Sequence, residues 1–459
     1  MTAPWLSFIL LPAALAFGEP VDWLLTARYV VTADAAHRVI ENGAVAVRGD
    51  RIAAVGLRAD LEKRFQPRRR LDRPQAILAP GLINTHTHAP MSLFRGIADD
   101  LRLQDWLEKF IFPAEAKNVT AEFCRWGTRL AVLEMLLGGT TTYTDMYYFE
   151  ETIAAETKAA GMRGVLGQTV IGFPVADART PDDALVRAEA FLKAFRNDPL
   201  ITAAVAPHAI YTNSDETLRR CRALANRYNA PLIIHLSETR RENEETRAKR
   251  LASPTQALNA LGLFDGRTVA AHGVWLDETD LAIIRNKNVG IAHCPSSNMK
   301  LASGIAPVTK MLSLGINVGL GPDGPAGSNN DFNMFEEMDL AAKLAKVATG
   351  DPQSVSARQA LEMATMGGAR ALGLEREIGS LEAGKRADLI FVQAGRAHMQ
   401  PLYHVESQLV YASKASDVSD VFVNGRQVVR GGVPLTLNPA EVLAKANAYR
   451  QAILRSLPQ

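Results

Sequence analysis

The sequence predicts an α/β protein: a closed (β/α)8 TIM barrel joined to a small β-sandwich domain that both chain ends build together. Three observations support this. Between Ile77 and Asp323, eight apolar, β-rich runs alternate with helical patterns, the rhythm of a parallel sheet closed on itself. Four of those runs finish on side chains that bind or serve a divalent metal, and the carboxyl ends of barrel strands are where such folds keep their chemistry. Short β-runs with tight turns lie on either side of the repeat, and neither set alone has enough strands for a stable core.

Taken in order, the chain opens with an apolar run from Trp5 to Phe17 that ends in small residues, as a secretory signal does, yet no Lys or Arg precedes Arg28. The expected location is therefore cytoplasmic, with export the alternative if this leader is a signal; Pro12 and the short length speak against a membrane span. The expected organisation is a leader over residues 1–20, a composite β-domain from residues 21–79 and 376–459, and a barrel over residues 80–375. In the first β-part, residues 43–56 read as a hairpin turning at Gly49-Asp50; in the last, Asn424-Gly425 marks a second such turn. The apolar run Gln75 to Ala79 and the following Leu82-Ile83 read as buried strand.

Within the repeat, strands are expected to end near His88, Met146, Val170, His208, Leu236, Val274, Pro295 and Asp323. Helical patterns over residues 122–137, 182–195, 215–228 and 305–314 lie between them, with Ser214 and Asp277 as N-caps. Residues 332–348 and 354–372 read as helices closing the barrel, and residues 439–457 as a C-terminal helix packing on the small domain. No Gly-x-Gly-x-x-Gly turn supports an open doubly wound sheet instead.

Composition excludes several classes of function. Lys plus Arg is 51 against 49 for Asp plus Glu, scattered apart from Arg68-Arg69-Arg70, so no nucleic-acid surface is expected. Cys124, Cys221 and Cys294 are far apart, which indicates neither a disulfide framework nor a thiolate metal site.

The chemistry is written at the strand ends. In Asn84-Thr85-His86-Thr87-His88 the two imidazoles share one face of a strand and can grip one ion together. Further runs end at His235, His272 and Asp323, and imidazole with carboxylate suits a Zn²⁺ ion, with Fe²⁺ or Mn²⁺ accepting similar ligands. Glu238, three residues past His235, falls where the strand has turned into a loop, a position for a general acid/base beside an ion's water.

These residues resemble the amidohydrolase superfamily. His235-Leu236-Ser237-Glu238-Thr239, Ala271-His272-Gly273, His293-Cys294-Pro295-Ser296-Ser297-Asn298 and Asp323 join the first histidine pair in that resemblance, which runs over nearly the whole chain and includes residues 378–388. It is closest to the deaminases of S-adenosylhomocysteine and 5′-methylthioadenosine. The resemblance implies one Zn²⁺ per subunit on His86, His88, His235 and Asp323, with Glu238, His272 and Asp323 as catalytic residues. Glu238 would hand a proton to the purine ring, His272 would polarise the incoming hydroxide or the tetrahedral intermediate, and Asp323 would take the water's proton as C6 is attacked and loses ammonia. Ala206-Pro207-His208 offers no lysine for a second metal, which favours a mononuclear site.

By the same resemblance, Glu115 would read the two ribose hydroxyls, His208 would contact the nucleoside, and Ser328 would stand near the purine edge, with Glu238 and Asp323 also touching the base. His293 is expected to support its strand end and Asp145 to be a buried structural carboxylate. One departure stands out: where the family often carries an arginine at the end of the third strand, this chain reads Gly167-Gln168-Thr169. If that arginine serves the charged tail or the base, its absence puts the homocysteine-bearing nucleoside in question and leaves methylthioadenosine or adenosine as readings. The alternatives are an aminohydrolase or chlorohydrolase of guanine, cytosine or a triazine, and a barrel scaffold without chemistry. The expected partner is a small-molecule nucleoside substrate, with no nucleic acid and no membrane; the reading allows a homo-oligomer.

Overall fold

The computed structural model describes residues 18–456. The leader expected over residues 1–20 lies, up to residue 17, outside them, and Glu19 already opens a strand. No helix among the described residues is long and apolar enough to cross a membrane.

The chain begins in a mixed sheet. β1 (Glu19–Val31), β2 (Val39–Arg48) and β3 (Arg51–Leu57) are joined in antiparallel order, and the turn between the last two is Gly49-Asp50, with Gly49 at φ +60°. β4 (Phe65–Pro80) returns parallel to β1 on its other edge. Gln75 to Ala79 therefore belong to this sheet and not to the barrel. The break is Gly81, where a β-carbon would stand 2.1 Å from Thr141 Oγ1, so the chain can pass from one sheet to the other only without a side chain.

Eight parallel strands then close a barrel: β5 (Leu82–Thr87), β6 (Thr140–Tyr147), β7 (Arg163–Val170), β8 (Ile201–Pro207), β9 (Leu232–Leu236), β10 (Thr268–His272), β11 (Gly290–His293) and β12 (Val318–Leu320). All but one of their residues are buried, as expected of a sheet with both faces covered. Small side chains such as Ala204, Ala271 and Ala292 fill the interior alongside Ile83, Ile233 and Val269, and Ala369, Leu372 and Ile378 plug its floor. The helices between strands start where capping residues stand: Ser214 accepts from Thr217 N–H and Asp277 from Asp280 N–H. Two expected helices differ. The run over residues 354–372 is two short helices, Ala357–Met363 and Met366–Leu372, broken at Thr365, and that over 305–314 shrinks to Val308–Ser313 behind Pro307.

After the barrel, β13 (Leu389–Gln393), β14 (Val418–Val423), β15 (Arg426–Arg430) and β16 (Val433–Pro434) complete the first sheet in the order β16-β15-β14-β13-β4-β1-β2-β3. Asn424 and Gly425 both take positive φ in the β14–β15 turn. Trp23 on β1 and Phe422 on β14 meet edge-on with ring centres 5.3 Å apart. Three strand spacings of about 4.8 Å separate those strands in a flat sheet, so this one folds over its own core as a sandwich does. The helix Pro439–Ser456 packs elsewhere than expected: Tyr449 meets Phe123 at 5.6 Å and Ser456 bonds Lys117 and Asn118, all on the barrel side.

One buried ion pair ties the two sheets together. Arg163, at the start of β7, donates two hydrogen bonds to Asp388, just before β13, at 2.9 and 3.3 Å.

Candidate metal centre and active site

The carboxyl end of the barrel collects the charged side chains. His86 lies in β5 and His88 just beyond it; His235 is in β9, His272 ends β10, and Asp323 follows β12. Three of these exits use left-handed backbone in non-glycine residues, Ser237 (φ +48°), His272 (φ +73°) and Asp323 (φ +66°). Each such residue costs on the order of 1–3 kcal/mol and persists where surrounding structure enforces it, as at ligand clamps. Glu242 supplies one such restraint: its carboxylate accepts the N–H groups of Ser237 (3.2 Å) and Glu238 (2.8 Å), pinning the turn that aims Glu238 into the barrel.

The donor set fits a divalent ion. Nδ1 of His88 bonds the Met146 carbonyl at 2.8 Å, and Nδ1 of His235 bonds that of His208 at 2.8 Å. A carbonyl only accepts, so both Nδ1 atoms carry the proton and both Nε2 lone pairs face inward. Those two Nε2 atoms stand 3.4 Å apart, and Asp323 Oδ1 lies 3.3 Å from His86 Nε2 and 3.4 Å from His88 Nε2. His86 Nε2 is buried without a hydrogen-bond partner. Ligands at about 2.0–2.1 Å from a tetrahedral ion sit about 3.3–3.4 Å from one another. Lone pairs facing each other at that spacing are repulsive until a cation lies between them.

The surroundings divide the acids from the bases. Burial pushes the Glu238 carboxyl up to about 8, helped by the charge of Asp323, so it holds a proton at neutral pH. Asp323 itself is held well below the usual range, since His86 and His88 overcome its burial. His272 is lowered by burial; its Nδ1 faces Asn298 Oδ1 at 3.0 Å and its Nε2 lies 3.8 Å from Glu238 Oε2.

A single cavity joins this cluster to the substrate-reading residues expected from sequence. His88, His235, Glu238, His272 and Asp323 line one part of it, and Glu115, His208 and Ser328 line it too. Glu115 sits on the short helix Phe112–Asn118, which follows a π-helical turn, Trp106–Ile111, lying across the barrel mouth. This roof is fastened to the loop after β12: Trp106 Nε1 donates to Ala326 O at 2.8 Å, and Lys300 Nζ bonds both Asp99 and Gly327 O. Burial raises Glu115 to about 7, and the Tyr147 hydroxyl donates to it at 2.6 Å. Ser328 spends its hydroxyl proton on Gly324 O at 2.6 Å, which leaves its oxygen to accept.

Other residues fall outside the cluster or support it. His293 is buried at the end of β11 and stands outside both sets of clustered donor atoms, His86 with His235 and His272, and His86 with His88 and Asp323. Asp145 accepts the Ala89 N–H at 2.6 Å and so fixes the backbone beside His88. Four supporting residues gain no role from the sequence: Tyr147 and Glu242, which no motif names, and two members of the run His293 to Asn298, namely Asn298 and Ser297, whose hydroxyl donates to Asp323 Oδ2 at 2.7 Å. Tyr147 and Glu242 carry no signal beyond their position near a strand end, while Ser297 and Asn298 stand inside a motif without a partner to define their part.

The family model described as "Amidohydrolase family" matches residues 77–428. The chain belongs to the amidohydrolase family. A second, short match, over residues 43–65, is to an imidazolonepropionase-like composite domain of bacteria and falls in the first sheet. Among amidohydrolase relatives, the 5-methylthioadenosine/S-adenosylhomocysteine deaminase of Thermodesulfovibrio yellowstonii is 44% identical over 436 residues, covering 95% of this chain and 99% of that one. The protein of the same name from Syntrophobacter fumaroxidans is 46% identical over 432 residues, covering 94% and 98%. A solved adenosine deaminase from Xanthomonas campestris with bound zinc superposes with a TM-score of 0.94 at 42% identity, over 95% of this chain and all of that one.

Proposed function

We propose that this amidohydrolase removes the 6-amino group from the adenine ring of a nucleoside, 5′-methylthioadenosine, S-adenosylhomocysteine or adenosine, with one Zn²⁺ held by His86, His88, His235 and Asp323. The observation that carries the reading is the joining, in one cavity, of an inward-facing ligand cluster and two buried carboxyls, Glu238 beside the cluster and Glu115 away from it. The names of the relatives point the same way.

When bound, the ion supplies Lewis-acid chemistry and makes a water acidic enough to attack near neutral pH. The chain's own groups do the rest. Asp323 takes a proton from the attacking water, while Glu238 gives its proton to the ring nitrogen that gathers charge as C6 becomes tetrahedral. His272, its Nδ1 occupied by Asn298, presents Nε2 toward the site and steers the water. The proton on Asp323 passes to the amino group, the C6–N bond breaks, ammonia leaves, and the remaining hydroxyl proton restores Glu238. Glu115 reads the ribose: an ionised carboxylate accepts from both hydroxyls of a cis-diol, while Tyr147 keeps one of its oxygens in place. His208 and Ser328 line the same space against sugar and base.

The test is ammonia release by zinc-loaded protein from adenosine, methylthioadenosine and S-adenosylhomocysteine beside adenine, guanine and cytosine, with metal analysis of the same sample. One zinc per chain and preference for the nucleosides are expected. Turnover of a free base alone would overturn the role of Glu115 and the substrate reading with it.

A further inference from the structure

Beside the active-site cavity runs a second, wider groove that shares Leu107, Phe112, Glu115, Tyr148 and Tyr211 with it. Glu115 belongs to both, so a ribose bound there by its two hydroxyls as proposed above has this groove open to its 5′ substituent. The far wall is the loop after β7, where Phe173, Pro174, Val175 and Ala176 line the groove. Phe173 meets Phe112 edge-on at 5.2 Å, and Phe173, Val175 and Phe112 are only half-buried, so apolar surface awaits a cover.

That wall is built in advance of any ligand. Gly172 N–H bonds Thr212 O at 2.8 Å, Val175 N–H bonds Ala178 O at 2.8 Å, and Asp177 accepts from Phe149 N–H and from Gln168 Nε2. No Lys, Arg or His lines the groove, and its charged groups are the carboxylates Glu108 and Glu115. Gln168, at the end of β7, is buried, neutral and tied to Asp177. Arg187, which also pairs with Asp177 and with Glu151, does not line the groove.

We propose that this groove is an apolar 5′-substituent subsite, and that the enzyme selects neutral 5′-alkylthioadenosines against a nucleoside whose tail ends in an amino-acid carboxylate. The proposal rests on the nucleoside reading above. A tail carboxylate in this groove loses water, meets no cation in its lining and faces two acidic residues, whereas a methyl or butyl group covers aromatic surface; Arg241, Lys249 and Arg250 line a separate pocket beyond Gln104, Glu108 and Tyr211.

The experiment compares kcat/KM for adenosine, methylthioadenosine, 5′-butylthioadenosine and S-adenosylhomocysteine. Butylthioadenosine matches the homocysteine chain in length without its charges, so it separates charge from size. Both neutral thioethers are expected to exceed S-adenosylhomocysteine by about ten- to a hundredfold. Val175→Arg, which places a cation in the groove, is expected to narrow that ratio by about tenfold or more. Equal or better use of S-adenosylhomocysteine by the unaltered enzyme overturns the subsite while leaving the nucleoside reading standing. An unchanged ratio in a Val175→Arg protein that still deaminates adenosine shows that the tail goes elsewhere, which also overturns it. Deamination of none of the four removes the nucleoside reading itself, and the subsite with it.

Discussion

The acid role proposed for Glu238 rests on where it is kept. Free in water it would be ionised at neutral pH; buried near Asp323 it holds its proton to about pH 8. The Glu238→Gln protein has the same shape and hydrogen-bonding reach but no transferable proton. It is expected to retain its zinc by metal analysis and to lose about 10²–10⁴-fold in kcat; near-normal turnover would remove the acid/base role. At this scale much was legible in the sequence, because imidazoles and carboxylates at strand ends are few and chemically distinctive. Tyr147 and Asn298 were not, since a tyrosine hydroxyl or an asparagine amide acquires meaning only from what it touches: Glu115 in one case, His272 in the other.

At the scale of elements, the metal cluster depends on how closely β12 approaches β5. A β-carbon added at Gly321 would stand 2.7 Å from the His86 backbone nitrogen and 2.8 Å from its carbonyl oxygen, and neither is the free end of a side chain. Gly321→Ala must therefore push apart the segments that carry His86 and Asp323. The expected result is weaker zinc retention on dialysis against a chelator, with the far-UV circular dichroism preserved; zinc held as tightly as before would show that the segments can yield. The alternation of the barrel was readable because buried strands and amphipathic helices differ in period. Residues 75–79 read both ways, since they fall inside the β-domain's bounds at 21–79 and also at the head of the repeat counted from Ile77. That run and Leu82-Ile83 are equally apolar, and only pairing to β1 and β13 assigns the first to the other sheet. The C-terminal helix was misplaced for a similar reason: its apolar face fits either body, and Tyr449 settles on Phe123.

For the molecule as a whole, the joint between sheet and barrel holds a buried charge pair. Asp388 also accepts the Asn424 N–H at 2.5 Å, so it links β7, the start of β13 and the β14–β15 turn. Asp388→Ala strands the Arg163 guanidinium in a site where little water reaches it. The expected loss is about 3–5 kcal/mol of stability in denaturant unfolding, with zinc content unchanged; a loss under about 1 kcal/mol would mean the joint bears little of the fold. The placement of β4 between β1 and β13 has a consequence for synthesis. Its partner on one side is made before it, but its partner on the other waits behind the entire barrel. At about 5–20 residues per second, the roughly three hundred intervening residues occupy the ribosome for about 15–60 s. Through that interval the apolar stretch Ala76 to Ala79 offers an uncovered strand edge to any neighbouring chain. Slower elongation lengthens that exposure, and only the arrival of β13 ends it.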